Sequence, residues 1–250
     1  MLVEFVFDLA RMALFVVCAY AALNTYARHR QPGWEQPLGR HRLALLGLLT
    51  LSVVAVKVIE DVVAKESGPV DEAILWFVRQ HVPAGLGPAF AAVTQTGSAR
   101  VLVPLAAVVV VALLLAGRRR EAWLVATSLA GANLVVYLLK GLVGRARPEL
   151  WDTQWYWGSS FPSGHTLSTA AFSTACALGL ARIRPRYAGP AMALAVSWTV
   201  LVALSRLVLG VHWPSDVLAA LCLGMFIPLA IGFVLVLRRP GTGTRAPRSD

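Results

Sequence analysis

Charged side chains are scarce in this chain of 250 residues. Asp, Glu, Lys and Arg account for 14% of the sequence, whereas a soluble globular domain carries about a quarter of such residues. Hydrophobic residues make up 57%, and the mean hydropathy is +0.65. The shortage of charge excludes an ordinary soluble domain, so the composition predicts an integral membrane protein.

Cysteine is also rare. The three cysteines are Cys18, Cys176 and Cys222, and each falls in an apolar run without a CxxC pair. This spacing excludes the paired-cysteine motifs of zinc and redox sites. Because free cysteine behaves as a small buried hydrophobe, we interpret all three as packing residues.

Long apolar runs fill most of the chain. Each has close to the ~20 residues that a helix needs to cross a bilayer, and a segment that spans lipid must satisfy its own backbone as a helix. The sequence therefore predicts an all-α, polytopic transmembrane helical bundle, with one core over 43–237 and no separate soluble domain. Six spans are expected in that core: 43–59, 101–117, 122–139, 165–181, 189–204 and 217–237.

The first 27 residues allow three interpretations: an extra N-terminal span, an interfacial helix or a cleaved signal peptide. Glu4 and Asp8 stand where a signal peptide would carry its basic leader, so the first two interpretations are favoured. Glu4, Asp8 and Arg11 fall on one stripe of a helix. In a seventh span, this stripe would face the bundle.

Arginine clusters flank alternate spans. If the spans alternate in direction, every cluster lies on one side, which the positive-inside rule assigns to the cytoplasm. Residues 28–42 then form a basic cytoplasmic linker, and 238–250 form a basic, disordered cytoplasmic tail. The formal net charge of +10 is divided among short loops, so nucleic-acid binding is not expected. The clusters are Arg28, Arg30, Arg40 and Arg42; Arg118 to Arg120; Arg182, Arg184 and Arg186; and Arg238, Arg239, Arg245 and Arg248.

The opposite side holds three segments whose charge conflicts with this rule. They are KGLVGRARP (140–148), FPSGH (161–165) and SRLVLGVHWPSD (205–216). A charge in the membrane costs about 2.5–3.5 kcal/mol, so several charges that converge at one end of a bundle indicate function. The same side carries the acidic stretch 60–99, in which DEAILWFVRQHVP predicts a short amphipathic helix on the outer leaflet.

Spacing within the first two segments predicts a phosphate site. Lys140 and Arg147 would share one face of a helix that continues past the membrane and stops at Pro148. In the second segment, a proline at position 162 suits a first helical position. Ser163 and Gly164 would then offer unpaired backbone N–H groups to an anion.

The third segment predicts a nucleophile. Pro214 suits a helix start, which places Asp216 in the first turn and His212 just before it. The carboxylate can accept a hydrogen bond from one imidazole nitrogen, which fixes the tautomer and leaves the other nitrogen free to attack. Each feature alone also has a structural explanation, such as a helix-dipole contact for Asp216 or snorkelling for Arg206. Their combination favours a phosphate-binding site with a nucleophile and an acid.

The three segments resemble the signature motifs of the type 2 phosphatidic acid phosphatases, integral-membrane lipid phosphatases that share a core with vanadium-dependent haloperoxidases. All three motifs match in order and without a substituted position. The resemblance implies that His212 attacks phosphorus, that Asp216 orients it, and that His165 protonates the leaving oxygen and then activates water. It implies neither a metal ion nor a cofactor. The implied phosphate-binding residues are Lys140, Arg147, Ser163, Gly164 and Arg206.

The resemblance also implies a lipid phosphate or diphosphate as the substrate, held at the extracytoplasmic face of the inner (plasma) membrane. A polyprenyl diphosphate is favoured, with phosphatidate and phosphatidylglycerophosphate as alternatives. The rival functions are a haloperoxidase, which the membrane spans disfavour, and a non-catalytic lipid-phosphate binder or transporter, which the two histidines disfavour. The sequence leaves the oligomeric state open. An aromatic stretch between the first two motifs fits either a substrate rim or an ordinary interfacial belt: Trp151, Trp155, Tyr156 and Trp157.

Overall fold

The structure is a computed structural model that describes residues 2–153 and 158–237, with side chains from residue 6 onward. The described part of the chain is all-α and contains no strand. Single turns of 3₁₀ helix at Pro32–Trp34, Ala84–Leu86 and Pro185–Tyr187 join some of the α-helices. The α-helices are α1 (Leu2–Arg30), α2 (Glu35–Arg40), α3 (Arg42–Val63), α4 (Gly68–His81), α5 (Gly87–Thr96), α6 (Ala99–Leu115), α7 (Arg119–Val143), α8 (Gly164–Ile183), α9 (Ala188–Val208) and α10 (Pro214–Leu237).

Six of the described helices are long and apolar enough to cross a membrane, or up to seven if a bent pair counts as one span. The six correspond to α1, α3, α7, α8, α9 and α10, and the bent pair joins Ala84–Thr96 to Ala99–Leu115 at an angle of 43°. Each of the six predicted core spans overlaps one of these helices. The predicted all-α, multi-pass bundle is therefore confirmed, and the N-terminal segment is a helix of spanning length.

The chain packs as two compact units, of which the first comprises residues 1–50 and 230–250. Its core contains Ala27, Leu38 and Leu45, all of which are buried. Asp8 and Arg11 form a 3.9 Å ion pair with side chains 40% and 71% exposed, so the predicted stripe is not buried at these two positions. The side chain of Glu4 and the predicted tail 238–250 lie outside the described residues.

The second unit, residues 51–229, is organised around α8. Twelve of the twenty residues in α8 are buried, and most are Ala, Ser or Thr. Such small side chains let neighbouring helices approach closely. A Cβ atom added to Gly224 of α10 would lie 2.6 Å from the carbonyl oxygen of Leu167, which only glycine avoids. This close packing sets the N-terminus of α8 beside the start of α10.

The predicted amphipathic helix is confirmed as α4. Asp71 and Leu75 are buried on one face, whereas Val70 and Phe77 are 63% and 60% exposed. An apolar surface of this kind suits a lipid interface. The burial of Asp71 was not expected from an acidic loop, and its partners are described below.

The interpretation of the cysteines as packing residues is correct only in part. Cys222 is buried and Cys176 is partly buried, but Cys18 is exposed on α1. Because an exposed face of a membrane-length helix can be apolar without protein contacts, an apolar run does not by itself bury a cysteine in protein.

Candidate active site

The helix that begins the first predicted segment ends earlier than the spacing of Lys140 and Arg147 suggests. Helix α7 ends at Val143, and Gly144 adopts a left-handed conformation (φ 60°, ψ 24°) with its N–H donating to the carbonyl of Lys140. Glycine at this position is a standard helix stop. The expectation that Lys140 and Arg147 share one helical face ending at Pro148 is therefore wrong. Lys140 lies in the last turn of α7, and Arg147 lies in the irregular segment that follows.

The cations of the first segment contact the residues before α8 and the third segment. The ammonium group of Lys140 donates a hydrogen bond to the carbonyl oxygen of Ser159. The guanidinium of Arg147 donates to the carbonyl oxygen of Val211 at 2.7 Å. Its Nη1 atom also lies 3.4 Å from Nε2 of His212. The first and third segments therefore meet at the imidazole of His212.

The third segment has the predicted arrangement. Pro214 begins α10, Asp216 lies in the first turn, and His212 lies two residues before the helix. Oδ2 of Asp216 accepts a hydrogen bond from the backbone N–H of Trp213 at 3.0 Å, which is one half of a capping box at the helix start. The same oxygen lies 3.4 Å from Nδ1 of His212, a close contact that falls short of hydrogen-bond geometry. Asp216 therefore faces one ring nitrogen of His212, and Arg147 faces the other.

His212 is buried and its ring is held neutral. Its side chain is 3% exposed. The pKa of His212 is lowered to about 4, chiefly by burial and in part by the positive charges of Arg206 and Arg147, while Asp216 acts in the opposite direction. A neutral imidazole has a free lone pair on one nitrogen, which is the form that a nucleophile requires.

The second segment forms the start of α8. Ser163 is the N-cap and the helix begins at Gly164, so the expectation that Pro162 occupies the first helical position is wrong by two residues. Ser163 is buried, with its hydroxyl 3.0 Å from that of Thr166. Its backbone N–H donates to the carbonyl oxygen of Asp216, which joins the starts of α8 and α10. His165 lies in the first turn, where backbone N–H groups have no acceptor within the helix.

Arg206 lies in the last turn of α9 and is 1% exposed. Its Nη1 donates to the hydroxyl of Thr94 on α5 at 2.6 Å. His165 lies within electrostatic range of Arg206, His212, Lys140 and Arg147. The eight predicted site residues are thus brought to one end of α7 to α10, with direct contacts linking Arg147, His212, Asp216 and Ser163.

Three contributors were not identified from the sequence. Arg145 lies in the first segment and Asp71 in the acidic stretch 60–99, but the sequence gives neither a role, and Thr94 lies outside the three segments. In the structure, Arg145 donates to both Asp216 and Asp71, at 2.8 and 2.7 Å. The one local feature that distinguishes Thr94 is that it is polar and lies in an apolar helix. Its partner, Arg206, lies 112 residues away in the sequence.

The aromatic stretch is described only at Trp151, because Trp155, Tyr156 and Trp157 lie outside the described residues. The Trp151 ring packs over Gly210, where a Cβ atom would lie 2.7 Å from the indole. Gly210 also has a left-handed φ of 66°. Trp151 further contacts Trp76, with ring centroids 5.5 Å apart, and Arg79, whose guanidinium lies 5.3 Å from the ring centroid.

Comparison with known proteins shows a family to which part of this chain is similar. Residues 121–238 match the model of the PAP2 superfamily. This PAP2 segment comprises 118 of the 250 residues, just under half of the chain. All eight predicted site residues fall inside the PAP2 segment, whereas Asp71 and Thr94 precede it.

Two curated proteins resemble part of the chain. A lipid A 1-phosphatase of Rhizobium etli is 33% identical over 118 residues, which cover 43% of this chain and 47% of the relative. A decaprenylphosphoryl-5-phosphoribose phosphatase of Mycobacterium tuberculosis H37Rv is 39% identical over 112 residues, which cover 43% and 58%. The chain thus spans about half the length of the curated relatives it matches.

A solved PAP2 structure shares the fold. The transmembrane PAP2-type phosphatidylglycerolphosphate phosphatase from Bacillus subtilis superposes with a TM-score of 0.69 and 23% identity. The match covers 77% of this chain and 98% of that one. The helical architecture described above is therefore that of a transmembrane PAP2 protein.

Proposed function

We propose that this chain is a membrane lipid phosphatase that hydrolyses a lipid phosphomonoester or diphosphate through a phosphohistidine on His212. One observation carries the proposal: the imidazole of His212 lies between a carboxylate and a guanidinium. Asp216 is 3.4 Å from Nδ1, and Arg147 is 3.4 Å from Nε2. A phosphoryl oxygen bound to Arg147 would hold phosphorus close to the nitrogen that is free to attack.

The first step forms the covalent intermediate. The lone pair of His212 Nε2 attacks phosphorus in line, and the bond between phosphorus and the lipid oxygen breaks with its electron pair on that oxygen. His165 donates a proton to the departing oxygen, so the lipid leaves as an alcohol or, from a diphosphate, as a monophosphate. Asp216 stabilises the imidazole as it becomes positively charged.

The second step regenerates the enzyme. His165, now neutral, takes a proton from water as the water oxygen bonds to phosphorus. The phosphorus–nitrogen bond breaks, its electron pair returns to His212, and inorganic phosphate leaves. The products are inorganic phosphate and a lipid that has lost one phosphoryl group, with one water molecule consumed.

Three cations supply the electrostatic stabilisation in both steps. Lys140, Arg147 and Arg206 would hold the nonbridging oxygens, with the hydroxyl of Ser163 and the backbone N–H of Gly164 completing the cradle. Charge-assisted hydrogen bonds are about twice as strong as neutral ones, and phosphoryl transfer depends largely on such positioning. With these cations, the reaction needs no metal ion.

The substrate is proposed to be a lipid presented at the extracytoplasmic face of the inner (plasma) membrane. The positive-inside rule favours a cytoplasmic location for the arginine-rich ends of the spans, which supports this orientation. The two curated relatives are named for lipid A and for a decaprenylphosphoryl sugar. A polyprenyl diphosphate is our favoured substrate, with phosphatidate and phosphatidylglycerophosphate as the alternatives.

A substrate panel tests the proposal. Purified protein in detergent would be given undecaprenyl diphosphate, farnesyl diphosphate, phosphatidate and phosphatidylglycerophosphate, and phosphate release would be measured beside a His212→Ala control. We expect the wild type to release phosphate, with the highest kcat/KM for undecaprenyl diphosphate, and the control to release none. Equal binding of the panel by both proteins, with no release by either, would instead identify a lipid-phosphate binder.

A further inference from the structure

An ion network that extends beyond the predicted site connects α4 to the first turn of α10. The guanidinium of Arg145 donates from Nη1 to Oδ1 of Asp216 at 2.8 Å and to the hydroxyl of Ser215 at 2.6 Å. From Nη2 it donates to Oδ2 of Asp71 at 2.7 Å and to the hydroxyl of Ser67 at 3.1 Å. One guanidinium therefore bridges two carboxylates from segments that are far apart in the sequence.

Asp71 also binds the start of α10 directly. Its Oδ1 accepts the backbone N–H of Ser215 at 2.8 Å, and its Oδ2 accepts the Ser215 hydroxyl at 2.6 Å. A carboxylate at a helix N-terminus satisfies an otherwise unpaired N–H and favourably meets the helix dipole. Asp71, from another helix, therefore fixes the turn of α10 in which Asp216 lies.

The network is buried, so it is not an ordinary surface ion pair. Asp71 and Asp216 are 2% and 0% exposed, and the Arg145 side chain is 16% exposed. Removing one partner from a buried ionic group leaves an uncompensated charge, which costs far more than the loss of an exposed pair. The Arg145 guanidinium also lies 5.4 Å from the Trp213 ring centroid, which further restricts its position.

The carboxylate of Asp216 is held on both oxygens. Arg145 occupies Oδ1, while Oδ2 accepts the Trp213 N–H and faces Nδ1 of His212. Rotation of the carboxylate would break the contact with Arg145. Since Arg145 itself is held by Asp71, the orientation of Asp216 toward His212 depends on both residues.

We infer that Arg145 and Asp71 are positioning residues of this enzyme: they hold Asp216 so that it keeps the proton of neutral His212 on Nδ1 and leaves Nε2 unprotonated. The effect on turnover rests on the proposed function, whereas the effect on the tautomer does not. Neither residue belongs to the phosphate cradle. The charged or titratable groups that face His212 are Asp216 from α10, Arg147 from the loop after α7, Arg206 from α9, and, within electrostatic range, His165 from α8.

Single substitutions test this inference, with matched controls. Arg145→Gln removes the bridging cation, and Asp71→Asn removes its second anchor with little change in shape. Arg100→Gln and Glu72→Gln make the same chemical changes at exposed positions and serve as controls. For each protein, kcat, KM, the vanadate inhibition constant, thermal stability and the ¹⁵N chemical shifts of the His212 ring would be measured.

We expect Arg145→Gln to lower kcat by about 10- to 100-fold, the range found where an outer partner orients a histidine that binds a metal. Asp71→Asn should lower it by a smaller factor. Their combined loss should be less than the product of the single losses, because both act on Asp216. KM and vanadate inhibition should change by less than about threefold, since the cradle is intact. The ¹⁵N shifts should show the Nδ1–H tautomer in the wild type and a loss of its population in Arg145→Gln.

Three results would overturn the inference. The first is a folded Arg145→Gln protein with the wild-type tautomer and kcat. The second is a loss of vanadate inhibition as large as the loss of kcat, which would place Arg145 in the cradle. The third is an equal loss of kcat in the control variants. A wild type without phosphate release, combined with the tautomer change in Arg145→Gln, would overturn the proposed function and support the inference.

Discussion

Thr94 gives a test of the site that lies outside the three sequence motifs. Its hydroxyl accepts a 2.6 Å hydrogen bond from Nη1 of Arg206, and both residues are buried. Thr94→Val retains the size and branching of the side chain and removes the acceptor. The substitution therefore changes how Arg206 is held without changing the charge of the cradle.

The expected magnitude follows from this contact. A hydrogen bond to a charged group contributes about 1.5–3 kcal/mol. About 1.4 kcal/mol corresponds to a tenfold change in rate. If the transition state loses the whole free energy of this hydrogen bond, kcat/KM falls by about 10- to 150-fold. Because Arg206 keeps its charge, we expect activity to be reduced rather than abolished.

The assay is phosphate release from a short-chain lipid phosphate in detergent, with thermal stability measured on the same preparations. Thr96→Val is the matched control, since Thr96 lies on the same helix but its hydroxyl contacts Val93 and Trp198. Normal kcat/KM in a stable Thr94→Val protein would refute the reasoning. An equal loss in Thr96→Val would refute it as well, because α5 would then act through its general packing.

Three further predictions concern pH, metals and topology. Because the pKa of His212 is lowered to about 4, its ring should stay neutral from pH 8 to about pH 5; a titration midpoint near 6.5 by ¹⁵N NMR, assigned with His212→Asn, would contradict this. Activity should survive EDTA and be inhibited by vanadate, whereas loss in EDTA with recovery in Mg²⁺ would contradict the cationic cradle. In a protein without native cysteines, Thr153→Cys should label from outside and Arg118→Cys only from inside, and the reverse pattern would contradict the orientation. Arg118 is used because the adjacent Gly117 has a φ of 74°, which disfavours cysteine.

The membrane helices could be predicted because lipid leaves the backbone few alternatives. A long apolar run must be helical, so composition and length were sufficient to find a helix at each of the six predicted core spans, although α6 qualifies as a span only as part of the bent pair. The start of α10 could also be predicted from neighbouring residues, since Pro214 and Asp216 both favour the first turn of a helix. These features depend on neighbours in the sequence.

The end of α7 could not be chosen from spacing alone. Gly144 and Pro148 are both able to stop a helix, and Lys140 and Arg147 would share a face only if the later stop were used. The structure uses Gly144, and the loop that follows brings Arg147 to His212 by tertiary contacts. The motif therefore predicted which residues meet, but not the backbone that brings them together.

Asp71 and Thr94 illustrate the remaining limit. The partners of Asp71 on α10 lie 144 residues away, and Thr94 lies 112 residues from Arg206. An acid in an acidic loop and a threonine in an apolar helix have no local feature that indicates such partners. Only the packing of α4 and α5 against the motif-bearing helices shows that they contribute to the site.

The covalent intermediate is the central claim, and trapping it is the most direct test. His165→Ala lacks the group that would activate water, so a phosphohistidine should persist after reaction with a substrate that has a good leaving group. We would quench this variant rapidly after mixing with ³²P-labelled substrate and locate the label by peptide mapping, with the His165→Ala/His212→Ala double variant as the control. We predict base-stable, acid-labile label on His212 and none in the double variant. Label on another residue, or an equal amount in the double variant, would contradict His212 as the nucleophile.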